Sequence, residues 1–393
     1  MTASTQAHGQ VHGMDGSLVA TDWPPLTVEE LRPILAEFPS VGAPVRILTV
    51  SPRPFSAASV VETTQGRVFV KRHSAGLRNA EGLREEHRFL VHLYIRGASV
   101  PQVLETATGD TALECAGSTY EVHTIPTGID LYREALSWTP FFCVAHARSA
   151  GETLAHLHHT AIGFNAPARP VRPLISSFTI FAAADPVGEL DRYLAARPVL
   201  AAHPRVRNCA LEALELLAPF HAELQPLLRH LPALWTHNDL HPSNLLWSSS
   251  ASNARATATL DFGLADRTFA VFDLAQAIER SLVEWLAIVD LRAPLDGAAI
   301  YVDQLDALLA GYQQVRALSR AEAAALAPVT ALCHYEFALT EADYFLGIVG
   351  SDEKAAYAYE SYLVGHARWF RSAGTKLLDA IRRRAEKPTE GAR

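Results

Sequence analysis

HNDLHPSNLLW, residues 237 to 247, places two His, one Asp and two Asn within eight residues, then returns to Leu-Leu-Trp. An ordinary polar turn between two strands would account for the composition. The spacing carries more information. His237 stands two residues before Asp239, and four residues separate Asp239 from Asn244, giving H-x-D-x-x-x-x-N.

That is the catalytic-loop pattern of kinases, and the flanking sequence supplies its companions. Downstream, TLDFGLAD reads as a strand ending in Asp261-Phe262-Gly263, 17 residues beyond Asn244, about the length of a hairpin returning to the same place. Upstream, RVFVKRH is an apolar strand carrying Lys71. The helix that follows it, GLREEHRFLVHLYIRGASVP, sets Leu83, Glu86, Leu90 and Leu93 on one stripe. A carboxylate on a buried stripe needs a partner. Lys71 is the candidate for Glu86, and the pair would hold an ammonium toward phosphate oxygens; Glu85 lies about 100° off the stripe. Strand Lys, helix Glu, H-x-D-x-x-x-x-N and DFG in this order point to phosphoryl transfer, which asks a protein mainly to position groups and neutralise charge. Asp239 would orient an acceptor hydroxyl and take its proton. Asp261 and Asn244 would hold Mg²⁺ through hard oxygens. His237 and His241 read as loop-holding rather than as metal ligands, since H-x-x-x-H within a loop is poor zinc spacing.

Over the rest of the chain, residues 1–24 read as a disordered tail. LTVEELRPIL is a short helix capped by Thr27 with Glu30 at the capping-box position. Residues 44–72 give three strands, and QVLETATGDTALECAGSTYEVHTIPTG two more, so residues 25–125 form a β-rich lobe around one helix. Residues 126–385 read as mostly helical: ARSAGETLAHLHHTAI, 206–230, 273–291, 298–317, 321–349 and 353–384. Residues 386–393 are expected to fray. The fold class expected is therefore α+β, with a small β-rich N-lobe and a larger, mostly helical C-lobe.

A net charge of −8 argues against a nucleic-acid partner and suits a solute pocket. Four widely spaced Cys without a CxxC pair suggest reduced thiols in a cytoplasm. No secretion signal and no apolar run of membrane-spanning length are seen, so no membrane partner is expected. Composition gives no oligomeric state.

LWTHNDLHPSNLLW with ATLDFGLADRTFAVFDLA resembles the aminoglycoside phosphotransferase and choline-kinase-like phosphotransferase family, whose core reads H-G-D-x-H-x-x-N, I-D-F/W-x and a D-L-A helix start. The resemblance spans about residues 45–350 and includes GETLAHLH. It implies a two-lobed protein-kinase-like fold and an ATP- and Mg²⁺-dependent transfer to a hydroxyl. It implies Lys71 and Glu86 as the phosphate-positioning pair, Asp239 as base, and Asn244 and Asp261 as metal ligands. The backbone at Glu121 to Thr124, including His123, would meet the adenine, and Ser56 of SPRPFSAAS the phosphates. Asp273 would cap its helix and anchor the loop. His158 would be a buried, hydrogen-bonded residue. Asn238 departs from the usual Gly, although Asn also tolerates positive φ.

About nine residues separate Gly263 from Asp273 and no A-P-E follows, which leaves little platform for a peptide and favours a small acceptor. Aminoglycosides, amino alcohols, homoserine and sugars all suit the core motif. The alternatives are an atypical Ser/Thr protein kinase and a nucleotide-binding pseudokinase module. In CHYEFALTEADYFLG, Glu336, Thr340 and Asp343 share one helical face and would line the acceptor pocket; a solvated face is the plainer alternative.

Overall fold

The computed structural model describes residues 10–12, 18–20, 22–52, 55–285 and 299–385. The chain divides into two compact units: Met1–Ile95 with Val100–Pro126, and Arg96–Ser99 with Thr127–Arg393.

The first unit begins with a strand pair, β1 (Gln10–His12) and β2 (Leu18–Ala20), inside the segment expected to be a tail. Helix α1 (Val28–Ala36) starts where expected, with the Thr27 side chain accepting the Glu30 N–H. Strands β3 (Pro44–Val50), β4 (Ala57–Thr63) and β5 (Gly66–Ser74) follow, then α2 (Ala80–Ile95), β6 (Leu113–Cys115) and β7 (Ser118–His123). The sheet is antiparallel in the order β3-β4-β5-β7-β6. Leu31, Ile34 and Leu35 of α1 pack on Val61, Val68, Val70 and Val122 of the sheet. The α2 stripe is buried as its period requires: Leu83, Leu90 and Leu93 each contribute about 1.5–3 kcal/mol.

The second unit is helical around two small strand pairs. Its elements are α3 (Val144–Ala161), α4 (Pro186–Ala195), α5 (Pro198–Ala202), α6 (Pro204–Leu224), β8 (Ala233–Thr236), β9 (Leu245–Trp247), β10 (Ala256–Thr259), β11 (Asp266–Phe269) and α7 (Ala270–Leu282). After them come α8 (Val302–Val315), α9 (Arg320–Leu332), α10 (His334–Tyr344), α11 (Asp352–Ala356), α12 (His366–Arg371) and α13 (Thr375–Ala385). The single helix expected over 321–349 is broken at Cys333 and ends in a π-helix, Phe345–Val349. The one expected over 353–384 contains a second π-helix, Tyr357–Gly365, and a break after Arg371. The expected fraying of 386–393 lies outside the described residues.

Helices α3 and α8 approach backbone to backbone. A Cβ on Gly151 would collide with the Leu308 carbonyl oxygen, and one on Gly311 with that of Arg148. Only hydrogen at both positions permits this contact.

Candidate active site

Two strand pairs bring the motifs together. β8 pairs with β11, with Thr236 opposite Asp266, and β9 pairs with β10, with Leu245 opposite Thr259. The loop 237–244 therefore runs beside the loop 260–265. Leu260 joins them: its N–H donates to the Asn244 carbonyl at 2.8 Å, and its carbonyl lies 2.8 Å from His237 Nε2. His237 Nδ1 accepts the Asp239 N–H at 3.1 Å, so both ring nitrogens are engaged and the ring braces the loop.

Asn238 and Asp261 both have left-handed backbone, with φ of 62° and 59°. Asn238 does more than tolerate that geometry. Its Oδ1 accepts from Thr236 Oγ1 at 2.7 Å, and its Nδ2 donates to the carbonyls of Ser176 at 2.9 Å and Leu264 at 3.3 Å. Asp273 accepts the N–H groups of His237 at 2.8 Å and Asn238 at 2.9 Å, and meets His158 Nε2 at 3.0 Å. It anchors the loop as expected but does not cap its helix, whose N-cap is Phe269. His158 is buried and its other nitrogen meets the Tyr312 hydroxyl at 2.8 Å.

Asp239 sits at the centre of this frame with 17% of its side chain exposed. Asn244 Nδ2 donates to its carbonyl at 2.9 Å and to its Oδ2 at 3.1 Å. Arg280 Nη1 pairs with its Oδ1 and bonds the Asn238 carbonyl at 3.0 Å. His241 Nε2 is 3.8 Å from Oδ1. Burial pushes the Asp239 carboxyl up to about 6; Arg280 and His237 oppose this and the charge of Asp261 adds to it. The donor set fits a hard divalent cation. The charge of Asp261 acts on the Asp239 carboxylate, and Asn244, whose amide nitrogen is engaged by Asp239, has an amide oxygen that can serve as a neutral ligand.

Sequence reasoning missed Arg280 and Glu341. Arg280 is fully buried, with its guanidinium 5.2 Å from the Trp138 ring and 4.5 Å from that of Phe337. Glu341 is buried and its Oε2 has no hydrogen-bond partner among the described residues. Burial pushes its carboxyl up to about 8; Arg280 pulls it down and Asp239 pushes it up, which places it in the same electrostatic neighbourhood.

The expected acceptor face has other partners. Glu336 Oε1 accepts the N–H groups of Thr179 at 2.5 Å and Ile180 at 2.6 Å. Thr340 Oγ1 accepts the Leu174 N–H at 2.8 Å, and Asp343 is 3.7 Å from Arg197. Glu336 and Thr340 thus pin segment 174–180, whose Ser176 carbonyl braces Asn238. They stand one layer behind the site rather than forming a solvated face.

In the first unit, Lys71 lies within β5 opposite Glu121 of β7, Glu86 is buried on α2, and Ser56 immediately precedes β4. β7 is interior to the sheet. Its other edge is taken as far as Thr124, whose N–H donates to the Gln102 carbonyl at 2.9 Å, while the Leu104 N–H donates to Val122 at 2.9 Å. Of the backbone groups expected to meet the adenine, the Val122 carbonyl and the Thr124 N–H are thus paired within the first unit. The Glu121 carboxylate is buried under His73 (2.8 Å), His87 (2.8 Å) and His123 (2.7 Å). Burial alone would raise its pKa, but His123 and the three hydrogen bonds hold it well below the usual range.

The model of the phosphotransferase enzyme family matches residues 53–326. The chain belongs to that family. It is a phosphotransferase of kinase type, acting on a hydroxyl. Among curated proteins, none matches. Solved structures share the fold at low identity. A microcompartment-associated aminopropanol kinase is 18% identical with a TM-score of 0.57, over 91% of this chain and 100% of that one. An amicoumacin kinase in complex with AMP-PNP and Ca²⁺ is 13% identical with a TM-score of 0.55, over 87% and 92%. A spectinomycin phosphotransferase in complex with ADP and spectinomycin is 11% identical with a TM-score of 0.50, over 88% and 98%. The fold is that of the two-lobed kinase-like enzymes, and no described helix is long and apolar enough to cross a membrane.

Proposed function

We propose that the protein transfers the γ-phosphoryl group of ATP, with Mg²⁺, to the hydroxyl of a small molecule of the aminoglycoside, amino-alcohol, homoserine or sugar-like kind. The observation that carries this is the Asp239 carboxylate, held by Asn244 and Arg280 beside the charge of Asp261. Asp239 orients the acceptor hydroxyl and receives its proton. Asn244 and Asp261 hold the cation, which when bound neutralises phosphate charge. Lys71, positioned by Glu86, meets the phosphate oxygens together with the backbone near Ser56. The adenine edge is met beyond Thr124, where β7 has ended.

Glu341, the unsatisfied carboxyl in the neighbourhood of Asp239, is the group we assign to an acceptor amine. A peptide acceptor is disfavoured because β11 begins at Asp266 and α7 at Ala270, directly after Gly263. The aminopropanol kinase, amicoumacin kinase and spectinomycin phosphotransferase that share the fold are small-molecule enzymes by name, which agrees. The test is ATP consumption over a panel of aminoglycosides, amino alcohols, homoserine and sugars, with the product identified by mass. Asp239→Asn should lower kcat by on the order of 10³-fold or more. An unchanged kcat would sink the mechanism. Glu341→Gln should raise KM for amine-bearing acceptors and leave neutral ones alone.

A further inference from the structure

Glu279, His334 and His366 come from three helices, α7, α10 and α12, and all three side chains are at least 96% buried. Neither oxygen of Glu279, neither nitrogen of His334 and not Nδ1 of His366 has a hydrogen-bond partner among the described residues. Five polar atoms orphaned at one point in a dry interior is a costly arrangement unless something else satisfies them. One ligand atom from each residue lies within 4.8 Å of the other two. Glu279 Oε1 is 3.4 Å from His334 Nδ1 and 3.4 Å from His366 Nδ1. These separations are too long for good hydrogen bonds, which run about 2.7–3.2 Å. They match the edge of a tetrahedron: two ligands each about 2.05 Å from zinc at a tetrahedral angle lie about 3.35 Å apart. An octahedral cis edge at similar bond lengths would be about 3 Å.

We propose that Glu279, His334 and His366 bind a zinc-class divalent cation that ties α7, α10 and α12 together. Two imidazoles and one carboxylate are the ligand types that zinc takes, whereas magnesium and calcium prefer oxygen alone. The site is thus chemically distinct from the Asn244–Asp261 pair. The rings are aimed by their surroundings. His366 stacks on Trp285 at 3.9 Å, and His334 meets the ring of Trp138 edge-on and that of Phe337 at a tilt, each at 5.6 Å. The π-helix Tyr357–Gly365 runs straight into His366, and such widened turns often occur where a side chain must be re-aimed for function. The His73–His87–Glu121–His123 cluster is the natural control, because its 2.7–2.8 Å contacts are hydrogen bonds that satisfy both carboxylate oxygens.

The experiment measures metal in the full-length protein by plasma mass spectrometry after dialysis, then by titration of the chelator-stripped protein with zinc. The wild type should hold roughly one zinc per chain with a higher Tm than the stripped form. His366→Gln and Glu279→Gln should each weaken zinc more than about 100-fold and abolish the Tm increase, while His87→Gln keeps both. Cobalt(II) taken up by the stripped wild type should give the absorption of a tetrahedral nitrogen–oxygen site, a reading that stands even if the variants fail to fold. The proposal is overturned by a wild type that neither takes up zinc nor changes Tm. It is equally overturned by zinc retained in both variants, by zinc lost only in His87→Gln, or by an octahedral cobalt spectrum.

Discussion

Asn238 stands where the family pattern has Gly, and the structure gives it two separable tasks. The first is backbone: φ of 62° costs an Ala about 1–2 kcal/mol and a Gly almost nothing. The second is its side chain, with bonds to Thr236 Oγ1, Ser176 O and Leu264 O at 2.7, 2.9 and 3.3 Å. Two good bonds and one weak one contribute roughly 2–3 kcal/mol. Asn238→Gly loses the bonds and adds up to about 1 kcal/mol of chain entropy, so it should destabilise the C-terminal unit by roughly 3 kcal/mol. It should nevertheless keep kcat within a few-fold, because the loop geometry survives. Asn238→Ala loses the same bonds and is also pulled toward negative φ, which displaces the adjoining Asp239. Its stability should fall about 1 kcal/mol below that of the Gly variant. Its kcat should drop on the order of 10²-fold, the cost of an ångström of misplacement. Urea unfolding followed through Trp235 and Trp247, which flank the loop on β8 and β9, measures the first quantity, and steady-state kinetics the second. Equal stability and equal kcat for Ala and Gly would refute the backbone argument. A Gly variant as stable as the wild type would refute the side-chain argument.

Two further outcomes follow from the groups around the site. Arg280→Lys should lower kcat by on the order of 10-fold or more, since the shorter lysine loses the guanidinium's packing on Trp138 and Phe337 that holds the charge against Asp239 and the Asn238 carbonyl. Arg280→Met removes the cation that pulls the Asp239 carboxyl down, so the acidic limb of the kcat–pH profile should move to higher pH; an unmoved limb would count against the pairing. Glu336 is pushed up to about 7 by burial, above its unfolded value of about 4.3. The folded state therefore binds the proton more tightly. The contribution of Glu336 to stability is fully present below about pH 4 and is lost as pH rises through about 7, by up to roughly 3–4 kcal/mol. Glu336→Gln keeps an oxygen for the Thr179 and Ile180 N–H groups and should abolish that decline. Unfolding curves at pH 5 and pH 8 that fall in parallel for both proteins would contradict it.

The chemistry was the most legible part of the chain, because phosphoryl transfer demands particular residue types at particular intervals. Asp239, Asn244 and Asp261 announce themselves by spacing, and the β9–β10 hairpin that reunites them follows from the length between them. Arg280 could not be read this way. It reaches Asp239 across 41 positions from inside a helix, and nothing in local periodicity links the two. The partners of Glu336, Thr340 and Asp343, and the burial of Glu341, were not legible for a different reason. α10 is buried on every side, so facial polarity, which sorts inside from outside on a surface helix, has nothing to sort. The two π-helices were invisible to a 3.6-residue period that assumes regular turns. β7 is legible as a strand, but its interior position in the sheet, which pairs the Val122 carbonyl and the Thr124 N–H, is a tertiary fact.

The close approach of α3 and α8 at Gly151 and Gly311 has a reach that its lack of side chains conceals. One helix carries His158 and the other Tyr312, and the bond between them orients the ring that meets Asp273, which in turn holds the backbone of His237 and Asn238. The spacing of two helix axes is thereby transmitted, through one hydroxyl, one imidazole and one carboxylate, to the peptide plane preceding the base. A methyl group inserted between the helices would act as a shim, registering first in the alignment of the reacting atoms and only secondarily in the melting of the fold.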